Sequence, residues 1–243
     1  MDNYDPTPEL LTGRTILVTG AADSIGAAVA MACAAHGATV IVSDKEQQHL
    51  EPLYDKIEAT CSTQPAILPL DLDTADEKIF AAATEVIGQE YGQLDGLAHC
   101  AAFAPFLSRI DDYDTDEWER VLRINLTAPF MLTQACLPLL RKSEDASIVF
   151  TSDRVGRKGL AYWGAFAAAK FGVEGLMQTL AEETSENSVL RVNSLDPGVV
   201  RTGLRTRLYP GEDPKDLPPP ESVAPRYLYL LGPDAKAITG QAF

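Results

Sequence analysis

The run Thr19-Gly20-Ala21-Ala22-Asp23-Ser24-Ile25-Gly26 joins an apolar β-branched segment to an alanine-rich helical one. A glycine-containing turn at a helix N-terminus lets backbone N–H groups and the helix dipole face a pyrophosphate. The same glycines also suit a tight turn with close helix packing. Ser24 is a good N-cap residue, and it adds bulk beside any phosphate. Asp44 ends the next apolar run. A carboxylate there accepts hydrogen bonds from an adenosine ribose and repels a 2′-phosphate, which favours NAD over NADP. Lys45 offsets part of that repulsion, and Asp44 also reads as a solvated strand-end charge. Asp71-Leu72 follows a third apolar run, where Asp71 either approaches an adenine or caps a helix starting near Thr74.

These groups need a scaffold that brings strand ends together. Short apolar runs, expected as strands, lie at 15–19, 39–43, 66–70, 94–99, 147–151 and 189–194, with a seventh opening at Ala237-Ile238-Thr239. Helical patterns fall between them, at about Ser24–His36 and, longest, near Asp116–Leu140 and Tyr162–Glu183. Strand–helix alternation with apolar strands predicts a parallel sheet covered on both faces. There is no internal repeat and no interdomain linker, so residues 1–243 read as a single domain. Residues 1–12 are expected to form an N-terminal tail. The proline-dense stretch within 205–222 forbids a continuous helix and reads as a loop or a lid.

Composition excludes several partners. The chain has 243 residues, is 46% hydrophobic and carries a formal charge of −15, so nucleic acid and anionic lipid are poor matches. No apolar run approaches the roughly 18–20 residues a membrane span needs. The N-terminus lacks the basic and apolar regions of a signal peptide. Cys33, Cys61, Cys100 and Cys136 form no C-x-x-C pair and read as reduced thiols of a cytoplasmic protein, with no metal framework.

The order and spacing of the motifs carry a resemblance. Beside the glycine turn stand Arg123-Ile124-Asn125-Leu126, Lys170, Asp196-Pro197-Gly198-Val199-Val200-Arg201-Thr202 and Thr239-Gly240-Gln241. Over nearly its whole length the chain resembles the short-chain dehydrogenase/reductase family. The resemblance implies a Rossmann-type doubly wound parallel sheet of about seven strands in a three-layer α/β/α domain. It implies NAD(P)-dependent oxidation of alcohols or reduction of carbonyls, and pairing into a homodimer or homotetramer. Carried over by position, the cofactor would meet Gly20, Ser24, Ile25, Gly26, Asp44, Asp71, Leu72, Lys170, Pro197, Gly198 and Thr202. The retained catalytic residues would be Asn125 and Lys170.

The catalytic pattern departs from the family at two positions. The segment Trp163-Gly164-Ala165-Phe166-Ala167-Ala168-Ala169-Lys170 puts Phe166 where the resemblance implies a proton-exchanging tyrosine, and Asp153 falls at the serine position. Ser152, one residue off on a strand end, should point elsewhere. Ser24 also replaces the middle glycine of the turn, and His99-Cys100-Ala101-Ala102 stands where the family carries Asn-Asn-Ala-Gly. A carboxylate titrating near pH 4 is a poor match for proton transfer near neutrality, and Lys170 should lower it further. A structural Asp153–Lys170 ion pair is therefore expected. Read alone, Phe166 and Lys170 are a core aromatic and a snorkelling lysine one turn apart. Tyr162, one turn before Phe166 if the helix has begun, reads as packing or loop, with reach into the cleft as the alternative. His99 reads as a half-buried histidine, with a replacement acid/base as the alternative. Cys100 reads as core filler. Trp163, Phe171 and Met177 read as helix packing or subunit contacts. Two functions stay open: an oxidoreductase without its usual acid/base, acting on a small molecule, and a catalytically silent nucleotide-binding or regulatory protein. If Ser24 obstructs the phosphates, no cofactor binds.

Overall fold

The computed structural model describes residues 4–184 and 189–243. Six parallel strands form one sheet in the order β3-β2-β1-β4-β5-β6: β1 Thr15–Thr19, β2 Thr39–Asp44, β3 Ala66–Pro69, β4 Gly96–His99, β5 Ala146–Thr151 and β6 Leu190–Leu195. The central strands β1, β4 and β5 are buried along their whole length, because helices cover both faces of the sheet and leave no solvated side. Among the described residues eight α-helices surround it: α1 Ser24–Ala35, α2 Gln47–Thr60, α3 Glu77–Tyr91, α4 Thr115–Leu122, α5 Ala128–Leu140, α6 Gly164–Glu183, α7 Gly203–Leu208 and α8 Ala224–Leu231. One core layer packs α1, α2 and α8 on the sheet, around Val29, Cys33, Leu50 and Tyr227. The other packs α3, α5 and α6, around Phe80, Leu132, Cys136 and Met177. This is the expected three-layer Rossmann-type architecture. Strand order reverses between β1 and β4, and such a reversal opens a crevice beyond the carboxyl ends of the strands.

The seventh strand does not form. Residues 233–235 make a 3-10 turn, Ile238 N–H bonds back to Ala235 O, and Gly240 takes a φ of +68°. The chain becomes extended only after that, and lies beside β6 around one bridge, Ser194 to Ala242, with backbone bonds from Gly240 to Val192, Ser194 to Gln241, Phe243 to Ser194 and Asp196 to Phe243. Thr239 Oγ1 accepts from Val192 N–H at 3.0 Å, so a side chain takes a place a strand would fill.

The expected helix over 116–140 is two helices joined by a π turn, Arg123–Thr127, in which Ala128 N–H bonds five residues back to Arg123 O. The helix expected from Tyr162 starts at Gly164, because Tyr162 has a φ of +74°.

Residues 4–12 are turns packed on the domain: Leu11 is fully buried and its N–H bonds to His36 O. The proline-dense stretch is folded too. It begins within α7 and continues through 3-10 turns at Pro214–Asp216 and Pro220–Val223. Arg205 fixes its start, bonding both oxygens of Glu212 at 2.8 and 2.6 Å and lying 3.6 Å over the Tyr209 ring.

Candidate active site

The glycine turn emerges from β1 into α1, and its backbone admits no side chain at two positions. A Cβ on Gly20 would lie 2.6 Å from the Ala101 backbone, and one on Gly26 would lie 2.0 Å from Gly20 O. Asp23, and not Ser24, caps the helix: its Oδ1 accepts from Ser24 N–H at 2.6 Å. Ser24 itself sits at a φ of +53°, a left-handed conformation that is unfavourable by about 1–2 kcal/mol for a residue with a Cβ. Its Oγ accepts from Gly203 N–H at 3.3 Å and ties the turn to α7.

The Asp44 carboxylate is already engaged by backbone, accepting from Ala22 N–H at 3.2 Å and Lys45 N–H at 2.7 Å. Lys45 Nζ reaches Asp71 at 3.4 Å. Asp71 does not cap the following helix. It accepts from Asp73 N–H in a local turn, while Asp76 caps α3, which starts three residues later than expected.

At the other end of the same cleft stands Lys170, on α6. It does not snorkel: it is 3% exposed, and Nζ donates to Thr151 O at 2.7 Å. Gly156 makes room, since a Cβ there would fall 2.9 Å from Lys170 Cβ. The expected ion pair with Asp153 is absent; among the described residues no carboxylate lies within 4.0 Å of Nζ. Burial lowers the Lys170 pKa to about 8, against a weaker upward pull from Asp153. Asp153 moves opposite to expectation as well. Burial raises its carboxyl above the usual range and outweighs both the Val155 N–H bond at 2.9 Å and the charge of Lys170. Desolvation exceeds the attraction once the two groups are not in contact.

Phe166 is buried, and its ring centre lies 5.3 Å from Lys170 Nζ. Ser152 borders the cleft, but its hydroxyl turns inward and donates to Glu174 at 2.5 Å. Asn125 is inside the π turn and does not line the cleft. Its amide donates to Phe103 O at 2.7 Å and Val121 O at 2.8 Å, and its oxygen accepts from Phe103 N–H at 3.0 Å. It pins the loop after β4. Of the residues expected at the site, Asn125 alone stands outside this lining; the nucleotide-end residues, Asp153, Phe166 and Lys170 all border one continuous cleft.

The profile of the family described as short chain dehydrogenase matches residues 14–213. The chain belongs to the short chain dehydrogenase family. It is 42% identical over 241 residues to the uncharacterized oxidoreductase YciK of Escherichia coli K12, covering 99% of this chain and 95% of that one. It superposes with a TM-score of 0.97 on a protein assigned as a short chain dehydrogenase from Pseudomonas syringae, 47% identical, covering 99% and 97% of the two chains. A Shigella flexneri relative solved in complex with NADP gives a TM-score of 0.95 at 42% identity, with 98% of each chain covered. An Escherichia coli CFT073 relative, solved with NADPH, gives the same values.

The residues of this family member fit a dinucleotide. The turn at Gly20 and Gly26 is a cradle that any Cβ would fill, and the first-turn N–H groups of α1 have no intrahelical acceptor. Pro197, Gly198 (φ +73°) and Thr202 close the opposite wall.

Three further candidates fall away. Tyr162 is 56% exposed and outside the cleft lining. The Cys100 thiol lines the cleft, but burial pushes it up to about 12, so it is no nucleophile near neutral pH. His99 is buried behind the cleft, stacked on Phe150 and bonded through Nε2 to Thr133 Oγ1 at 2.9 Å. Burial, with help from Lys170, lowers its pKa to about 3.

The unfolded chain therefore binds a proton at His99 between about pH 6.5 and 3 that the native state refuses. Stability is fully present above 6.5 and falls with pH through that window, by about 1.4 kcal/mol per unit. Urea unfolding between pH 7 and 4 should show His99→Gln losing less stability than the unaltered chain, and equal slopes would disprove the assignment.

Sequence reading missed part of the lining. Phe103, Leu204 and Leu208 form its apolar end together with Trp163 and Phe166. Tyr227, far off in sequence on α8, is fully buried and bonds Thr151 Oγ1 at 2.7 Å behind Lys170. The apolar residues look like core in any periodic reading, and nothing local links Tyr227 to β5.

Proposed function

We infer that this chain is an NADP(H)-dependent oxidoreductase for small apolar carbonyl or alcohol compounds, working without the usual tyrosine. The observation that carries the reading is the single cleft joining the glycine cradle to Lys170. A bound nicotinamide dinucleotide would supply or accept the hydride. The turn at Gly20–Gly26 would hold its phosphates, Asp44 its ribose, and Pro197 and Gly198 would lie along the nicotinamide end. Phe103, Trp163, Phe166, Leu204 and Leu208 keep water from the reacting end and select apolar substrates. Phe166 offers no proton. A catalytically silent, cofactor-binding protein is the second reading, and Phe166 together with Asp153 favours it.

The relatives solved with NADP and NADPH support the phosphorylated cofactor over the NAD that Asp44 alone suggests. Lys45, 56% exposed, can leave Asp71 for a 2′-phosphate, while Asp44 limits its affinity. Removing one nearby negative charge is worth about 1–2 kcal/mol near a protein surface. Asp44→Ala should therefore tighten NADPH binding about tenfold and leave NADH binding unimproved, as read by thermal shift and calorimetric titration. If neither cofactor raises the melting temperature of the unaltered protein, the dinucleotide reading fails. Binding without turnover on a panel of apolar ketones and alcohols favours the silent one. Exposed Phe130 on α5 and Phe171 on α6 support pairing into a homodimer or homotetramer. The free thiols support a cytoplasmic setting. Among the described residues no helix is long and apolar enough to cross a membrane.

A further inference from the structure

A buried primary amine beside an apolar cleft has a chemistry that dinucleotide binding does not use. Among the described residues, the side-chain hydrogen bond of Lys170 Nζ goes to Thr151 O, and no carboxylate pairs with it. Its aromatic neighbour is Phe166, which carries no hydroxyl to hold or protonate the amine. Phe103, Trp163, Leu204 and Leu208 border the same space. This is the setting in which a lysine becomes a nucleophile: desolvated, unpaired and open to a cleft.

We propose that Lys170 is a carbonyl-capturing amine, whose neutral Nζ condenses with an apolar aldehyde entering the cleft and holds it as an imine. The Nζ lone pair forms the C–N bond as the C=O π pair moves to oxygen. One N–H proton passes to that oxygen, giving a carbinolamine. The C–O bond then breaks, the oxygen leaves as water with the second N–H proton, and the nitrogen lone pair closes C=N. Amine and aldehyde become imine and water, with no oxidant or reductant.

The charged and titratable groups acting on the amine are Asp153 beyond β5, Asp196 beyond β6, Cys100 beyond β4 and Glu174 one turn along α6. All four raise its pKa, and burial outweighs them to leave it at about 8. Asp153 is itself raised, chiefly by burial. Phe103, Trp163, Leu204 and Leu208 favour an apolar carbonyl, and Arg120, Arg205 and Arg207 border the same cleft. The proposal shares the cleft of the reading above without resting on it, because no cofactor takes part.

The test treats the whole protein with hexanal and sodium cyanoborohydride, followed by intact mass and peptide mapping. Every other lysine of the described residues is exposed, so a reaction governed by access alone would spare Lys170. Lys170 should instead be alkylated about tenfold faster than any of them, because its neutral fraction is larger. The rate should climb with pH and level off above about 8. Lys170→Arg should remove the fast site, with circular dichroism to verify folding. Should that variant not fold, NADPH protection in the unaltered protein places the fast site in the cleft. Fast labelling that NADPH does not slow still supports the imine and counts against the dinucleotide reading. Lys170 unmodified, or modified no faster than the surface lysines, overturns the proposal even if NADPH binds.

Discussion

Phe166→Tyr is expected to raise carbonyl turnover by about 10²–10⁴-fold, the usual worth of a positioned general acid. The ring already borders the cleft, and its centre is 5.3 Å from Lys170 Nζ, so a phenol there would lie in the field of the ammonium. That field stabilises a phenolate and brings the phenol closer to a near-neutral proton transfer. The added oxygen meets a cleft and not a closed core, so overpacking should be small. Asp153→Ser made together with it would replace a charged side chain by a hydroxyl on the same wall. The measurement is kcat with NADPH against a panel of apolar ketones, for the single and the double variant. Unchanged rates in both, with NADPH bound, would mean that the departure from an active site extends beyond these two positions.

Arg191→Leu should destabilise the fold by about 3 kcal/mol, or roughly 10 °C in Tm for a domain of this size. Arg191 lies on β6, almost fully buried, and its Nε pairs with Asp145 at 3.1 Å. Its other nitrogens donate to Leu230 O at 2.7 Å and Gly232 O at 3.0 Å, carbonyls at the C-terminus of α8 that have no intrahelical donor. The leucine fills much of the volume but takes the donor from Gly232 O, while Leu230 O keeps the Ser147 hydroxyl at 2.7 Å. Asp145 keeps Arg14 at 3.1 Å, which limits the loss. Calorimetry or urea unfolding reads the effect, and a shift under about 2 °C would show that the guanidinium only occupies space.

The strands and the glycine turn were legible because their signals are local: runs of β-branched residues, and glycines at a spacing that one backbone geometry requires. Lys170 and Phe166 were legible as a pair because a helix fixes what four residues apart means. What sequence could not supply was distance between elements. Charge and nearness along two segments predict the Asp153–Lys170 pair, but Asp153 turns back to accept from Val155 N–H at 2.9 Å while the amine donates to Thr151 O at 2.7 Å. The cap was assigned to Ser24 by residue preference. The fold gave it to Asp23, since Ser24 occupies the left-handed place of a glycine. At the expected seventh strand a proline turn and a left-handed glycine come first, and residues 240–243 then hydrogen-bond to β6 without forming a regular strand.

The π turn at Arg123–Thr127 inserts extra chain between two helices without breaking their path. Each residue of a regular helix advances about 100° around its axis, so deleting one position there would rotate everything downstream by that angle. Leu132, Cys136 and Leu139, now turned onto the sheet, would swing towards solvent while Arg120 and Ile124 kept their places at the cleft. The turn thus works as a phase adjuster. It lets α4 answer to the ligand side and α5 answer to the sheet, and it makes this short stretch the place where a change in chain length would do the most harm.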